Sequence, residues 1–145
     1  MNRDLAVGLH IVGFLTARQG QPLTSEVLAE TYGTSPVVVR RVSAKLCRAG
    51  LIETRRGIGG GSLLTRDPSK INLRQVYEAI ADRPELLGRH PGEESGAAKV
   101  LAEYINEIYD EAEEALMRKL ESVTVKQMDA VVKPRICAWL SRNRK

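Results

Sequence analysis

The residues of this chain that can do chemistry gather between Ser35 and Arg66. Arg40, Arg41, Lys45 and Arg48 recur on a stretch opened by Ser35-Pro36, and Arg55-Arg56 run straight into Gly57-Ile58-Gly59-Gly60-Gly61. From Val37 to Arg66 there are seven Arg or Lys against one acid, Glu53, a net of +6; the whole chain carries +4, so the remainder carries −2. Cations confined to one helix and the loop behind it suit the phosphates of nucleic acid, because displaced counterions supply most of the sequence-independent affinity. The bland alternative, an ordinary solvated helix face, does not explain why the charge is so localised.

Other chemistries lack their residues. The glycine run has no Lys-Ser/Thr ending and is followed by a strand pattern, so it does not read as a phosphate-cradling P-loop. There is no nucleophile elbow, no His-containing acid–base pair and no metal motif, so an enzyme is not expected. Cys47 and Cys137 are too few and too distant for a disulfide framework or a four-ligand metal site, and no cofactor is expected. Cys47 falls off the apolar centre of its helix, which leaves a thiol switch as an alternative, whereas Cys137 beside Ile136, Ala138 and Trp139 reads as packing. His10 on an apolar helix reads as a satisfied core histidine, and His90 as a loop residue.

With 145 residues, 28% charged and 43% hydrophobic, the composition is that of a globular domain with one core. No stretch approaches the roughly 20 apolar residues that span a bilayer. The apolar opening from Leu5 to Leu15 is broken by His10 and two glycines and lacks the basic front and cleavage site of a secretory signal. A cytoplasmic protein with reduced thiols and no membrane partner is expected.

The elements that must position these residues are mostly helices. Leu5, Leu9, Val12 and Thr16 at helical spacing predict a first helix over 3–17, ended by Gln19-Gly20-Gln21-Pro22. Thr24 or Ser25 caps a short helix over 26–32, closed by Gly33. Ser35 as N-cap and Pro36 at the first position then start the basic helix, and the tight Gly33-Thr34 connection makes a helix-turn-helix. At about 100° per residue, Val38, Val39, Val42, Leu46 and Ala49 share one face while Val37, Arg40, Arg41, Ala44 and Arg48 lie opposite. Strands over 51–54 and 62–65 flank the glycine loop as a wing.

Beyond the wing, Asn72 caps a helix over 73–81 that Arg83-Pro84 stops, and residues 88–96 read as a flexible loop. A helix over 97–121, roughly 37 Å long, carries Leu101, Ile105, Ile108, Ala112 and Ala115 as an apolar seam widened by Tyr104, Leu116 and Leu120. Acidic residues at 103, 107, 110, 111, 113 and 114 take the other face, so this helix wants a partner helix and not DNA. Thr124 caps a last helix that Pro134 is expected to interrupt. The fold class is therefore mainly α: a winged helix-turn-helix over 1–66 with a small β-wing, and a helical dimerisation region over 67–145.

The layout resembles the Rrf-two family of bacterial winged-helix transcription regulators, which includes iron-sulfur and nitric-oxide sensing repressors. The resemblance lies in Pro36-Val37-Val38-Val39-Arg40-Arg41, in Lys45-Leu46 with Ala49-Gly50-Leu51-Ile52, in Thr54-Arg55-Arg56-Gly57-Ile58-Gly59-Gly60-Gly61, and in Ile71-Asn72-Leu73, Val76 and Ala79-Ile80. It implies a homodimer on a partly palindromic operator in double-stranded DNA, acting as a repressor, with the helix from Pro36 in the major groove and the wing in the minor groove. Arg56 matches the family's wing arginine. Two departures stand out. Ser62 occupies a place where the family usually has an aromatic, and Gly88 to Ala98 holds none of the three cysteines of the cluster-bearing members, so the resemblance is to a cluster-free branch with an unidentified small-molecule or redox effector.

On this reading the DNA-binding residues are Thr34, Ser35, Val37, Arg40, Arg41, Lys45, Arg48, Arg55, Arg56, Gly57, Gly59 and Gly60. Arg40 and Arg41 reach base edges, Lys45 and Arg48 reach phosphate, and Val37 meets a thymine methyl. Dimerisation falls to Leu101, Ile105, Ile108, Ala112, Ala115 and Leu116. Two further readings are a winged-helix module that docks a protein, and a repressor that senses thiol oxidation through Cys47.

Overall fold

The first helix is the hub on which the other elements are stacked. The structure, a computed structural model, describes residues 3–82, 87–91 and 96–142. Its elements run α1 (Arg3–Ala17), α2 (Ser25–Tyr32), α3 (Pro36–Arg48), β1 (Ile52–Arg55), β2 (Gly61–Leu64), a 3-10 turn (Pro68–Lys70), α4 (Leu73–Ile80), α5 (Ala97–Glu121) and α6 (Val125–Arg142). Helix α1 packs against α2, α3, α4, α6 and β2. Its Val7, Ile11, Val12 and Leu15 are buried against Leu28, Val39, Val42 and Leu46 of the helix-turn-helix. Each such side chain contributes roughly 1.5–3 kcal/mol relative to exposure. Gly8 lets α4 approach closely, since a β-carbon there would stand 3.0 Å from Ile80 Cγ1.

The core does not stop at Arg66. Ile71, Val76, Ile80 and Val125 belong to the same buried cluster as Val7 and Ile11. The joint between α5 and α6 is clamped back onto this core by backbone pairing, Leu73 N–H to Val123 C=O at 2.9 Å and Val125 N–H to Ile71 C=O at 2.8 Å. Both helix starts nearby carry reciprocal caps: Asn72 with Gln75, and Thr124 with Gln127.

Several sequence expectations shift. The last helix is unbroken, because α6 continues through Pro134. The carbonyl that loses its partner there belongs to Ala130, an exposed residue, so water can replace the missing N–H. The side chains of Ile136, Trp139 and Leu140 lie outside those described. Of the expected apolar face of α3, Ala49 is exposed and Ser43 is buried in its stead, because the helix ends at Arg48 and Ala49 is already its cap. Arg83-Pro84 and residues 92–95 of the expected loop lie outside the described residues. What is described of that loop is tied down: Leu87 N–H donates to Glu113 (2.9 Å), Arg89 pairs with Asp110 (3.0 Å), and His90 N–H donates to Asn106 (2.8 Å). These partners lie three and four residues apart on α5, so the segment runs antiparallel along one helix face.

Candidate nucleic-acid interface

Local capping fixes where the basic helix starts. Ser35 is extended, its hydroxyl accepts from Val38 N–H at 3.4 Å, and Pro36 follows at the first helical position. Thr34 is half-buried and its N–H is spent on Ala29 C=O at 3.0 Å. Val37 stands 68% exposed on the first turn, with Arg40, Arg41 and Arg48 exposed beyond it. The opposite stripe, Val39, Val42 and Leu46, is buried, which fixes the rotation of α3 and turns those arginines outward.

The wing is an antiparallel ribbon, Ile52 opposite Leu64 and Arg55 opposite Gly61. Its base is held without an aromatic residue. Ser62 is buried and exchanges two backbone hydrogen bonds with Leu23, at 2.8 and 3.1 Å, so the α1–α2 connection acts as a third edge to the ribbon. Close backbone approach fixes two wing glycines: a β-carbon on Gly61 would lie 2.6 Å from the Leu23 backbone, and one on Gly60 would strike the Arg55 carbonyl within the wing. Gly57 and Gly59 make the tip turn, closed by Gly60 N–H to Gly57 C=O at 3.0 Å, and place Ile58 fully in solvent. That exposed apolar tip beside Arg56 was not singled out in the sequence.

The cations divide into three kinds. Arg40 pairs with Glu26 (2.8 Å), Arg41 with Asp4 (2.6 Å) and Arg55 with Glu53 (3.1 Å). Lys45 points inward, its side chain 12% exposed, to Asp82 (2.7 Å), Asp4 (3.5 Å) and the Ile80 carbonyl (3.3 Å); Arg66 donates to the Gly50 carbonyl at 3.3 Å, bracing the turn out of α3. Arg48 and Arg56 make no ion pair among the described residues. The expected phosphate role of Lys45 therefore has no geometric support, since the ammonium would have to leave three acceptors to reach a ligand.

The acids that answer these arginines come mostly from outside the basic stretch. Glu26 is held below the ordinary carboxyl range first by its own backbone N–H and then by Arg40; Asp82 is held low first by the Lys45 hydrogen bond and by its charge. Sequence counting missed Asp4, Glu26 and Asp82 because each is remote in the chain and arrives by folding.

Cys47 is half-buried at the margin of the core, its Sγ 3.6 Å from Thr54 Oγ1 on β1, so it packs between α3 and the wing strand. Cys137 is exposed on α6, with no second sulfur brought to Cys47. His10 is half-buried, its Nε2 3.1 Å from Thr31 Oγ1 and its ring against Phe14 and Tyr32; burial lowers its pKa. Along α5, Leu101 is 55% and Ile108 42% exposed, Ala112 and Ala115 are exposed, and Ile105 and Leu116 are half-buried; among the described residues of α5 only Ala102 is buried. No described helix is long and apolar enough to cross a membrane.

A family model described as Rrf2, iron-dependent transcriptional regulator, matches residues 1–130. The chain is similar to YwnA of Bacillus subtilis (strain 168), named as an HTH-type transcriptional regulator, with 31% identity over 130 residues, 88% of this chain and 96% of the relative. Among solved structures it is similar to CymR (YrzC), the global cysteine regulator of B. subtilis, at TM-score 0.72 and 21% identity over 90% of this chain and 96% of that one. IscR of T. potens matches at TM-score 0.68 and 22% identity, covering 88% and 84%. These two likenesses concern the fold, a winged helix with a long helix behind it. The iron in the family description finds no matching donor set here: the two thiols sit on separate elements, and among the described residues no three His, Cys, Asp or Glu side chains converge.

Proposed function

The chain belongs to the Rrf2 family of transcriptional regulators, and from that premise we propose that it binds double-stranded DNA as a homodimer on a partly two-fold operator and represses by occupying it. The observation that carries the reading is the pairing of elements: the helix bearing exposed Val37, Arg40, Arg41 and Arg48 packs directly on the strand that leads to Arg56 and the glycine tip. A 13-residue helix with an exposed basic face fits a major groove, and a narrow arginine-tipped ribbon fits the adjacent minor groove. Val37, Arg40 and Arg41 lie on its first half and take base edges, with Thr34 and Ser35 at its start beside phosphate; Arg48 and Arg56 contact the backbone and minor groove without first leaving a carboxylate.

Dimerisation is supported by the uncovered stripe on α5, where Leu101, Ile108, Ala112 and Ala115 face solvent in the single chain. On this reading the two-fold pairing of α5 holds the two copies of α3 at the spacing a two-fold operator needs, about 34 Å or one turn of duplex. The test is selection of bound duplexes from a random pool by the purified protein. Enrichment of a two-fold motif with half-sites one turn apart is the expected result; a pool that stays random through the rounds would favour the protein-docking alternative.

A further inference from the structure

Lys45 is the one cation of the basic helix that the DNA-binding reading does not use, and its surroundings give it another task. Its ammonium has three N–H donors and three acceptors close by: Asp82 Oδ1 at 2.7 Å, the Ile80 carbonyl at 3.3 Å and Asp4 Oδ2 at 3.5 Å. Ile80 is the last residue of α4, so its carbonyl has no partner within that helix, and a cation there also complements the negative helix end. Asp4 lies in the first turn of α1 and is shared with Arg41 at 2.6 Å. The start of α1, the end of α4 and the flank of α3 thus meet at one largely enclosed lysine side chain.

We propose that Asp82 and Lys45 form a positioning pair that sets the pose of the recognition helix against α4, and through it how Arg40 and Arg41 meet the operator. The inference rests on the DNA-binding reading for its functional half and on geometry alone for its structural half. Apolar packing along Val39, Val42 and Leu46 fixes the depth of α3 in the core. To that packing, a lysine held by three acceptors on two other elements adds a restraint of direction as well as distance. Asp82 is the outermost acceptor, 75% exposed, and the residue through which the end of α4 acts on α3.

The sign of one substitution separates positioning from field. Asp82 is a negative charge close to Arg41 and Arg48, so if it acted only through the field of the protein, removing it would strengthen binding to any duplex. If it positions Lys45, Asp82→Ala weakens operator binding by about fivefold while non-specific affinity holds or rises, and the salt slope is unchanged because no phosphate contact is lost. Asp82→Glu restores most of the loss, and Lys45→Met reproduces it with the same unchanged slope. A second reading needs no DNA: amide hydrogen exchange of residues 41–48 in Asp82→Ala speeds up relative to the wild type and recovers in Asp82→Glu.

Tighter or equal operator binding by Asp82→Ala, or a salt slope reduced by about one in Lys45→Met, would overturn the positioning role while leaving the DNA-binding reading intact. If the wild type prefers no duplex, the functional reading fails and the exchange measurement still decides the pair: unchanged protection in both variants overturns it.

Discussion

At the residue scale, ion pairing divides the basic face: Arg40, Arg41 and Arg55 each stand within 3.1 Å of a carboxylate, while Arg48 and Arg56 make no ion pair among the described residues. Seven cations between Val37 and Arg66 predicted a nucleic-acid face, and the helix and loop that carry them were legible because caps, glycines and apolar spacing are local signals. Which cations are occupied was not legible, since Glu26, Asp4 and Asp82 reach them only through the fold. On the proposed reading, Arg40, Arg41 and Arg55 meet DNA in competition with their carboxylates, whereas Arg56 has no such competitor among the described residues. Arg56→Ala is expected to cost about 1–3 kcal/mol of operator affinity, read in a gel-shift titration at fixed salt; unchanged affinity would remove the wing from the interface. The wing glycines divide by the same logic. Gly61 has φ +141° and no room toward Leu23, so Gly61→Ala should cost about 2–3 kcal/mol in chemical denaturation, by strain and by loss of the Leu23–Ser62 pairing.

At the element scale, helix starts were readable and one expected helix break was not. Thr24, Ser35, Asn72 and Thr124 all cap where short-range chemistry says they should. Pro134 misled because its cost depends on whether the orphaned carbonyl can find water, a property of burial and not of spacing. Pro134→Ala should accordingly slow amide exchange along the exposed part of α6, by up to about 3 kcal/mol of local opening energy. The contact between α1 and α2 has a pH signature. Burial favours neutral His10, so the unfolded chain takes up the proton first as pH falls. Its stabilising contribution is complete above the ordinary imidazole value and is lost as pH falls below it toward the depressed folded value. Melting temperature is thus expected to drop between about pH 7.5 and 5.5, and His10→Gln, which keeps a partner for Thr31, should flatten that drop. An equal drop in the variant would assign the dependence to another group.

At the scale of the whole molecule, the long helix is the feature that a single copy leaves unexplained. Val100, Leu101, Tyr104 and Ile108 are all more than 40% exposed on α5, while its other face is occupied by Arg89, Leu87 and His90. Two such stripes meeting would bury what one chain exposes and would join two basic faces into one. Ile108→Glu is expected to give a monomer by light scattering with an unchanged helical circular dichroism spectrum, and to weaken operator binding far more than loss of any one phosphate contact. Spacing marked Leu101, Tyr104 and Ile108 as apolar positions of this helix but not Val100, and it could not show that the wet face of the same helix holds the loop before it, because those contacts run through backbone N–H groups and single side chains. The most direct test of the account is an anisotropy titration of a selected duplex across a range of salt concentrations. The expected result is a log–log salt slope steeper than about −4 and a preference over scrambled duplex of about a thousandfold. A flat slope with no preference would contradict it.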